Sequence, residues 1–209
     1  MAQTLKDNLR NEIIQAAKEE FLEHGYDGAS MRRIAAKSHM TVGNLYRYFK
    51  NKEDINLQIV GGTYEKINSL IKKLTSNKLS FETSVYNMRL DVNALRDIFD
   101  NLADELVNIY MQEPVEFSIL MLHSNLSKEL EEWFADVIKK LIMQSYTIDE
   151  FEHFCDILSH CFSLSIFSGV RELFATSSDV TADELKMLLK VYFRTYLYTL
   201  DTDIRIFLD

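Results

Sequence analysis

Between Ser30 and Lys52 the chain carries Arg32, Arg33, Lys37, Arg47, Lys50 and Lys52 and no acidic residue. Tyr46 and Tyr48 stand among the last of these cations. Guanidinium, ammonium and phenol groups are all donors suited to phosphate oxygens. The island is local. The 209-residue chain has a net charge of -9, and residues beyond 60 hold 14 Lys/Arg against 24 Asp/Glu. A small basic stretch on an acidic protein points to a localised polyanionic partner, with a merely solvated face as the plain alternative.

Other chemistry is poorly supported. The chain has no Gly-rich phosphate loop, no pair of Glu-x-x-His motifs, and no nucleophile beside a recognisable base, so an enzyme is not expected. His153, Cys155, His160 and Cys161 are metal ligands by type but not by spacing. His153 and His160 would lie about 10 Å apart along a helix. Asp156 and His160 with a distant third ligand such as His123 is the remaining arrangement. Core thiols and surface histidines are the simpler reading, and neither a metal nor a cofactor is expected. A spacing of six puts Cys155 and Cys161 on different helix faces, so a disulfide between them is not expected. The polar start "MAQTLKDNLRNE" does not read as a secretory leader, and no apolar run approaches the roughly 20 residues of a membrane span. A reducing, cytoplasmic setting is expected.

The elements that must carry the basic island are helices. Pro114 is the only proline, and five of the six glycines fall at or before Gly62. Few breakers and 3.6-type apolar spacing predict a nearly all-helical protein. Leu9, Ile13, Ala17 and Phe21 recur every four residues, predicting a helix over Asp7–His24 that ends at Gly25 in a left-handed conformation. Ser30 caps a short helix, Met31–Ser38, with Ile34 and Ala35 inward. A tight turn, "SHM", follows. Thr41 caps a second short helix, about Val42–Phe49, with Leu45 and Phe49 inward. Asn51 caps the next, with Glu53 and Asp54 at its positive end. Two short helices joined by such a turn form a helix-turn-helix, whose second helix enters the DNA major groove.

With Leu45 and Phe49 inward, Val42, Gly43, Tyr46 and Arg47 share the outward face. Gly43 lets the helix start approach a duplex closely. Arg47 can reach a base or a phosphate, and Tyr46 and Tyr48 offer hydroxyls to phosphate unless they are buried against neighbouring helices. Lys52, in the first turn of the following helix, makes a phosphate seat with the free N–H groups there.

"GNLYRYFKNKEDI" resembles the recognition-helix signature of the TetR (tetracycline-repressor-like) transcriptional regulators, and "FLEHGYDGASMRRIAAKSHMTVG" resembles the part preceding it. The resemblance covers about Asn11–Ile55. It implies that Arg32, Thr41, Val42, Gly43, Tyr46, Arg47, Tyr48 and Lys52 touch DNA, with Arg32 placed to read a guanine edge. One position departs from the family pattern: His39 stands in the turn where glycine is usual.

The expected organisation is a helix-turn-helix DNA-binding domain over 1–52 and a larger helical effector-binding and dimerisation domain over 53–209. A helix from about 52 to 75 bridges them. Gly61-Gly62 interrupts that helix, either for close packing or as a soft point coupling the domains. Helices are expected over Phe81–Met111 (with a break near Asp91–Asn93), from Pro114 to about His123, and over Ser127–Gln144. Two more follow, the last behind a Thr181-x-x-Glu184 capping box. These last two are apolar nearly all round. The resemblance implies that they pair with a second subunit in a four-helix interface, with Ser163, Ser165, Ser168 and Gly169 allowing close approach, and a two-fold dimer suits a palindromic operator. It also implies an effector pocket, for which Tyr110, Met111, Phe117, Met121, Trp133, Phe162 and Phe167 are candidates, with ordinary core packing as the alternative. The function implied is a sequence-specific DNA-binding regulator, a repressor released from its operator by an unidentified small molecule. An activator, or a small-molecule-binding dimer acting without DNA, are the alternatives.

Overall fold

The structure, a computed structural model, describes residues 2–78, 92–123, 125–145, 152–177 and 179–206. All regular elements among them are helices: α1 (Ala2–Gly28), α2 (Met31–Lys37), α3 (Val42–Leu45), α4 (Lys52–Lys78), α5 (Val92–Gln112), α6 (Pro114–His123), α7 (Asn125–Ser145), α8 (Glu152–Thr176) and α9 (Ala182–Ile206). The all-α expectation holds. The part of the expected Phe81–Met111 helix before Val92 lies outside the described residues; of the break expected at Asp91–Asn93, Val92 and Asn93 are the first residues of α5.

Local chemistry sets most boundaries. Helical backbone breaks at Gly25, where φ is 67° and ψ 172°. Only glycine takes that combination cheaply, and one further turn then runs to Gly28. Ser30 caps α2 by accepting the Arg33 N–H. Thr41 caps α3 by accepting the Asn44 N–H at 3.2 Å. The second short helix is shorter than its apolar spacing predicted. Beyond Leu45 the chain closes with tighter turns, as Arg47 N donates to Asn44 O and Tyr48 N to Leu45 O. Asn51 Oδ1 accepts the Asp54 N–H at 2.7 Å, while Asp54 Oδ2 accepts the Lys50 N–H at 3.0 Å. That reciprocal pair fixes the start of α4.

Two compact units are formed. The first comprises residues up to Lys66 together with Gln112–Ser127. Its core gathers Ile13, Ala17 and Phe21 of α1, Ile34 and Ala35 of α2, and Leu45, Phe49, Ile55, Ile59 and Val60. Burying a large apolar side chain of this kind contributes about 1.5–3 kcal/mol. Arg10 lies over the Phe49 ring at 4.5 Å, closing the core on one side. Helix α6 packs on α1 within this unit, its Phe117 and Leu120 fully buried. Glu116 pairs with Lys18, and Glu113 accepts from Thr63 at 2.8 Å and pairs with Lys66.

The second unit comprises Ile67–Met111 and the residues from Lys128 onward. Phe99 of α5 meets Phe134 of α7 edge-on at 6.1 Å and Phe193 of α9 at 5.2 Å, and Phe134 meets Phe167 of α8 at 6.0 Å. Lys190–Asp104 and Arg194–Asp100 pairs tie α9 to α5. The expected capping box at α9 is present: Glu184 Oε2 accepts from the Thr181 N–H and hydroxyl, and Thr181 Oγ1 accepts the Glu184 N–H.

Two small residues expected at a subunit interface serve packing inside the chain instead. Ser163 is buried and donates to the Glu131 carbonyl of α7 at 2.8 Å. Gly169 lies beneath Tyr192 of α9, whose hydroxyl oxygen would be only 1.9 Å from an added Cβ. Gly61 and Gly62 do not interrupt α4. Neither is needed for close packing, since a Cβ on Gly61 would meet only Leu57 at ordinary contact and one on Gly62 would meet nothing within 4 Å.

Candidate nucleic-acid interface

The helix-turn-helix of the first unit is held from inside by Ile34, Ala35, Leu45 and Phe49, all buried. Ser38 is buried too, its hydroxyl donating to the Ile34 carbonyl at 2.9 Å. The turn itself is made by His39, whose φ of 54° is the only positive value at a non-glycine among the described residues. Its N–H donates to Ala36 O, and the Met40 N–H to Ala35 O at 2.8 Å. A left-handed residue is thus required here, and histidine supplies it at a steric cost glycine would not carry.

The outward positions behave as a separate face. Thr41, Gly43, Tyr46 and Arg47 are exposed, Tyr46 at 52%, and Val42 and Tyr48 are half-buried. Nothing lies within 4 Å of a Cβ placed on Gly43. The glycine therefore answers no packing need of the protein. Arg32 and Lys50 are exposed as well.

The six cations of the basic island divide into two sets. Arg33 and Lys37 converge on Glu20, a fully buried carboxylate. Arg33 Nε pairs with Glu20 Oε1 at 2.5 Å, and its Nη2 donates to the Gly28 carbonyl. Glu20 Oε1 also accepts the Ser30 N–H at 3.2 Å. Lys37 pairs with Glu23 at 2.6 Å and lies 3.5 Å from Glu20 Oε2. The hydrogen bond from Lys37 holds the Glu23 carboxyl below its usual range, and the same bond raises the Lys37 ammonium. Glu20, Glu23 and His24 bring ligand-type atoms within 4.8 Å of one another, but Arg33 and Lys37 together already offset the two carboxylates of that group. This hub was not read from the sequence. Glu20 lies 10 to 17 positions upstream of its partners, and an acid on an amphipathic helix gives no sign of full burial.

Lys52 corrects an expectation. Its ammonium does not form an open phosphate seat. It donates to the carbonyls of Tyr26, Asp27 and Ala29 and lies over the Tyr26 ring. The carboxyl end of α1 carries unsatisfied carbonyls and the negative end of the helix dipole, so it competes for the cation. The Tyr26 phenol is pushed up, first by burial and then by Glu53 and Asp27. Arg32, Arg47 and Lys50, by contrast, have no side-chain partner among the described residues. Of these, Lys50 was not singled out as a contact residue from the sequence, although its exposure and position match those of Arg47.

The seven effector candidates fall in two units. Phe117 and Met121 are buried in the first, in the packing of α6. The other five are in the second. Tyr110 is half-buried with its ring 4.9 Å from Phe174, Met111 is exposed, Trp133 and Phe162 are half-buried, and Phe167 is buried against Phe134. His153, Asp156 and His160 are exposed on α8, Cys155 is buried and Cys161 exposed, both as free thiols.

Residues 13–59, which contain this interface, match the family model described as bacterial regulatory proteins, tetR family. This helix-turn-helix segment is of the TetR type. Among curated relatives, the HTH-type transcriptional regulator QacR of Staphylococcus aureus is 40% identical over 53 residues, covering 25% of this chain and 28% of QacR. The biofilm operon icaADBC HTH-type negative transcriptional regulator IcaR of the same organism is 26% identical over 148 residues, covering 66% of this chain and 76% of IcaR. A TetR-family transcriptional regulator from Bordetella parapertussis superposes with a TM-score of 0.56 at 16% identity, over 91% of this chain and 97% of that one. A TetR-family protein from Syntrophomonas wolfei gives 0.52 at 18% identity, over 92% and 96%. These structures share the TetR fold, a helix-turn-helix head followed by a larger helical part.

Proposed function

We propose that this chain is a sequence-specific DNA-binding transcriptional regulator of the TetR family, a repressor that leaves its operator when a small molecule binds. The observation that carries the reading is the partner-free set Arg32, Arg47 and Lys50 around an exposed Tyr46 and an unobstructed Gly43. A monomer with no anionic partner gains nothing from leaving these donors unpaired while pairing their neighbours. Thr41, Val42 and Tyr48 complete the face. A bidentate arginine–guanine contact is worth about 1–3 kcal/mol of discrimination. Repression is favoured by the name of IcaR, a negative regulator.

Dimerisation through α8 and α9 is supported by their exposed apolar side chains. Phe154, Ile157 and Leu164 follow one face of α8, and Met187, Leu188, Val191 and Tyr198 one face of α9. These spacings of three, four and seven make helical stripes, and contiguous apolar stripes are rarely left to water. A two-fold partner would bury both and set two α3 helices against a palindromic site. In this reading residues 1–52 bind DNA, while 53–209 serve effector binding and dimerisation. The effector candidates narrow to Tyr110, Met111, Trp133, Phe162 and Phe167, which share the second unit, because Phe117 and Met121 pack within the first. A cytoplasmic location follows from DNA as partner. No helix among the described residues is long and apolar enough to cross a membrane.

The test is a mobility-shift assay with the DNA upstream of the chain's own gene. A shift that is lost on addition of one compound from a panel supports the whole reading. Failure to shift any duplex at low salt refutes it.

A further inference from the structure

Lys52 closes the helix-turn-helix segment at its base. An ammonium has three N–H donors. Here three backbone carbonyls receive them: Tyr26, Asp27 at 3.3 Å and Ala29 at 3.1 Å. The same nitrogen sits 4.4 Å from the centre of the Tyr26 ring. The acceptors belong to the carboxyl end of α1 and the residue just beyond it; the donor belongs to the first turn of α4. Between them, from Ser30 to Asn51, lie α2, the turn at His39, α3 and every other cation of the island. The segment that presents α3 is therefore a loop tied shut by one side chain. Arg33 takes the remaining carbonyl of this stretch, that of Gly28.

We infer that Lys52 is a positioning residue. Its ammonium fixes the end of α1 to the start of α4 and so sets how α3 is presented, while phosphate neutralisation falls to Arg32, Arg47 and Lys50. A phosphate oxygen reaching Lys52 would have to displace a carbonyl already bonded to it. The inference rests on the DNA-binding reading above and makes it quantitative. Three available cations per subunit give six per dimer, and log K should then fall against log salt with a slope of about -5. Adding Lys52 from each subunit would steepen the slope to about -7, and adding all six island cations to about -11.

The experiment uses the full-length chain and the duplex that the wild-type protein selects from a library of random 20-base-pair sequences. Binding is followed by fluorescence anisotropy between about 50 and 200 mM salt, the range over which phosphate contacts are read out. Lys52→Met should weaken binding about tenfold or more while keeping the wild-type slope. Lys52→Arg should weaken it similarly, because a planar fork cannot serve three carbonyls from one nitrogen. Arg47→Ala, the control, should flatten the slope by about two units for the dimer. A Lys52→Met slope flattened like that of Arg47→Ala, or full affinity with Lys52→Arg, would overturn the inference.

A second measurement needs no variant to fold. The 15N–1H ammonium resonance of Lys52 in the wild-type protein should be protected from exchange and should persist unchanged when the duplex is added. Rapid exchange in the free protein, or coupling of that nitrogen to 31P in the complex, contradicts the inference. If no duplex is selected, the DNA-binding reading fails on its own, and the free-protein resonance still decides whether the clasp exists.

Discussion

Replacing Gly169 with alanine tests how α8 and α9 are joined within one chain. An added Cβ would lie 1.9 Å from the Tyr192 hydroxyl oxygen, 2.2 Å from Cζ and 2.7 Å from Cε2. Optimal carbon contacts are about 3.5–4.0 Å, so the ring end would have to retreat by about 1.5 Å. The hydroxyl cannot retreat freely. It donates to the Ser165 carbonyl at 2.8 Å and lies 3.2 Å from the Tyr196 hydroxyl, which in turn bonds Ser165 Oγ at 2.5 Å. Burial, and then the Tyr196 hydroxyl, push the Tyr192 phenol well above its ordinary pKa. Losing the bond to Ser165 costs about 1 kcal/mol and overpacking a further 1–3 kcal/mol, against about 1 kcal/mol returned by alanine's helix propensity. The net loss is about 1–3 kcal/mol, a fall of several degrees in Tm for a chain of this size. Thermal melts of Gly169→Ala alone and in a Tyr192→Ala background give the answer. In that background the obstacle is gone and the substitution should be neutral or stabilising. If Gly169→Ala stabilises the wild-type chain by the amount expected at any open helical position, Tyr192 is not seated there.

Three further outcomes follow from the same contacts. Val191→Asp, at a position 57% exposed on the α9 stripe, should leave helix content unchanged and shift sedimentation from dimer to monomer; persistence of a dimer would move the interface elsewhere. Gly61→Ala with Gly62→Ala fits sterically and should raise helix stability by about 1 kcal/mol each. As a stiffened α4 it should change effector response more than basal DNA affinity, so a doubly substituted protein that responds normally removes the soft-point reading. The hydrogen bond from Lys66, then that from Thr63, hold the Glu113 carboxyl below its usual range. A depressed carboxyl contributes stability that is full above the unfolded value and lost as pH falls through the folded one. Urea melts between neutral and acid pH should therefore show less acid sensitivity in Glu113→Gln than in wild type.

Much of the fold was legible because it is fixed by neighbours in sequence. Ser30, Thr41, Asn51 and Thr181 cap helices through N–H groups three residues away, and the buried Ile13, Ala17 and Phe21 recur at helical spacing. The break at Gly25 follows from glycine's freedom at positive φ. What was not legible depends on partners distant in the chain. Lys52 reads locally as a phosphate donor, but its acceptors lie 23 to 26 positions upstream. Gly169 reads as room for another subunit until Tyr192, on the next helix, is seen to fill it. Gly61-Gly62 reads as an interruption, yet Ile59, Val60, Thr63 and Ile67 are buried around it and hold α4 helical. The outward face at Gly43, Tyr46 and Arg47 was legible because Leu45 and Phe49 leave it no other direction.

The central claim is that the partner-free donors of α2, α3 and the turn after α3 bind duplex DNA, two copies at a time. Sedimentation equilibrium of the purified chain with a labelled duplex from upstream of its gene, in dilute buffer, measures this directly. A complex of mass two chains plus one duplex is expected, dissolved by added salt and weakened, with a shallower salt dependence, in Arg47→Ala. A chain that sediments alone beside every duplex offered would contradict it.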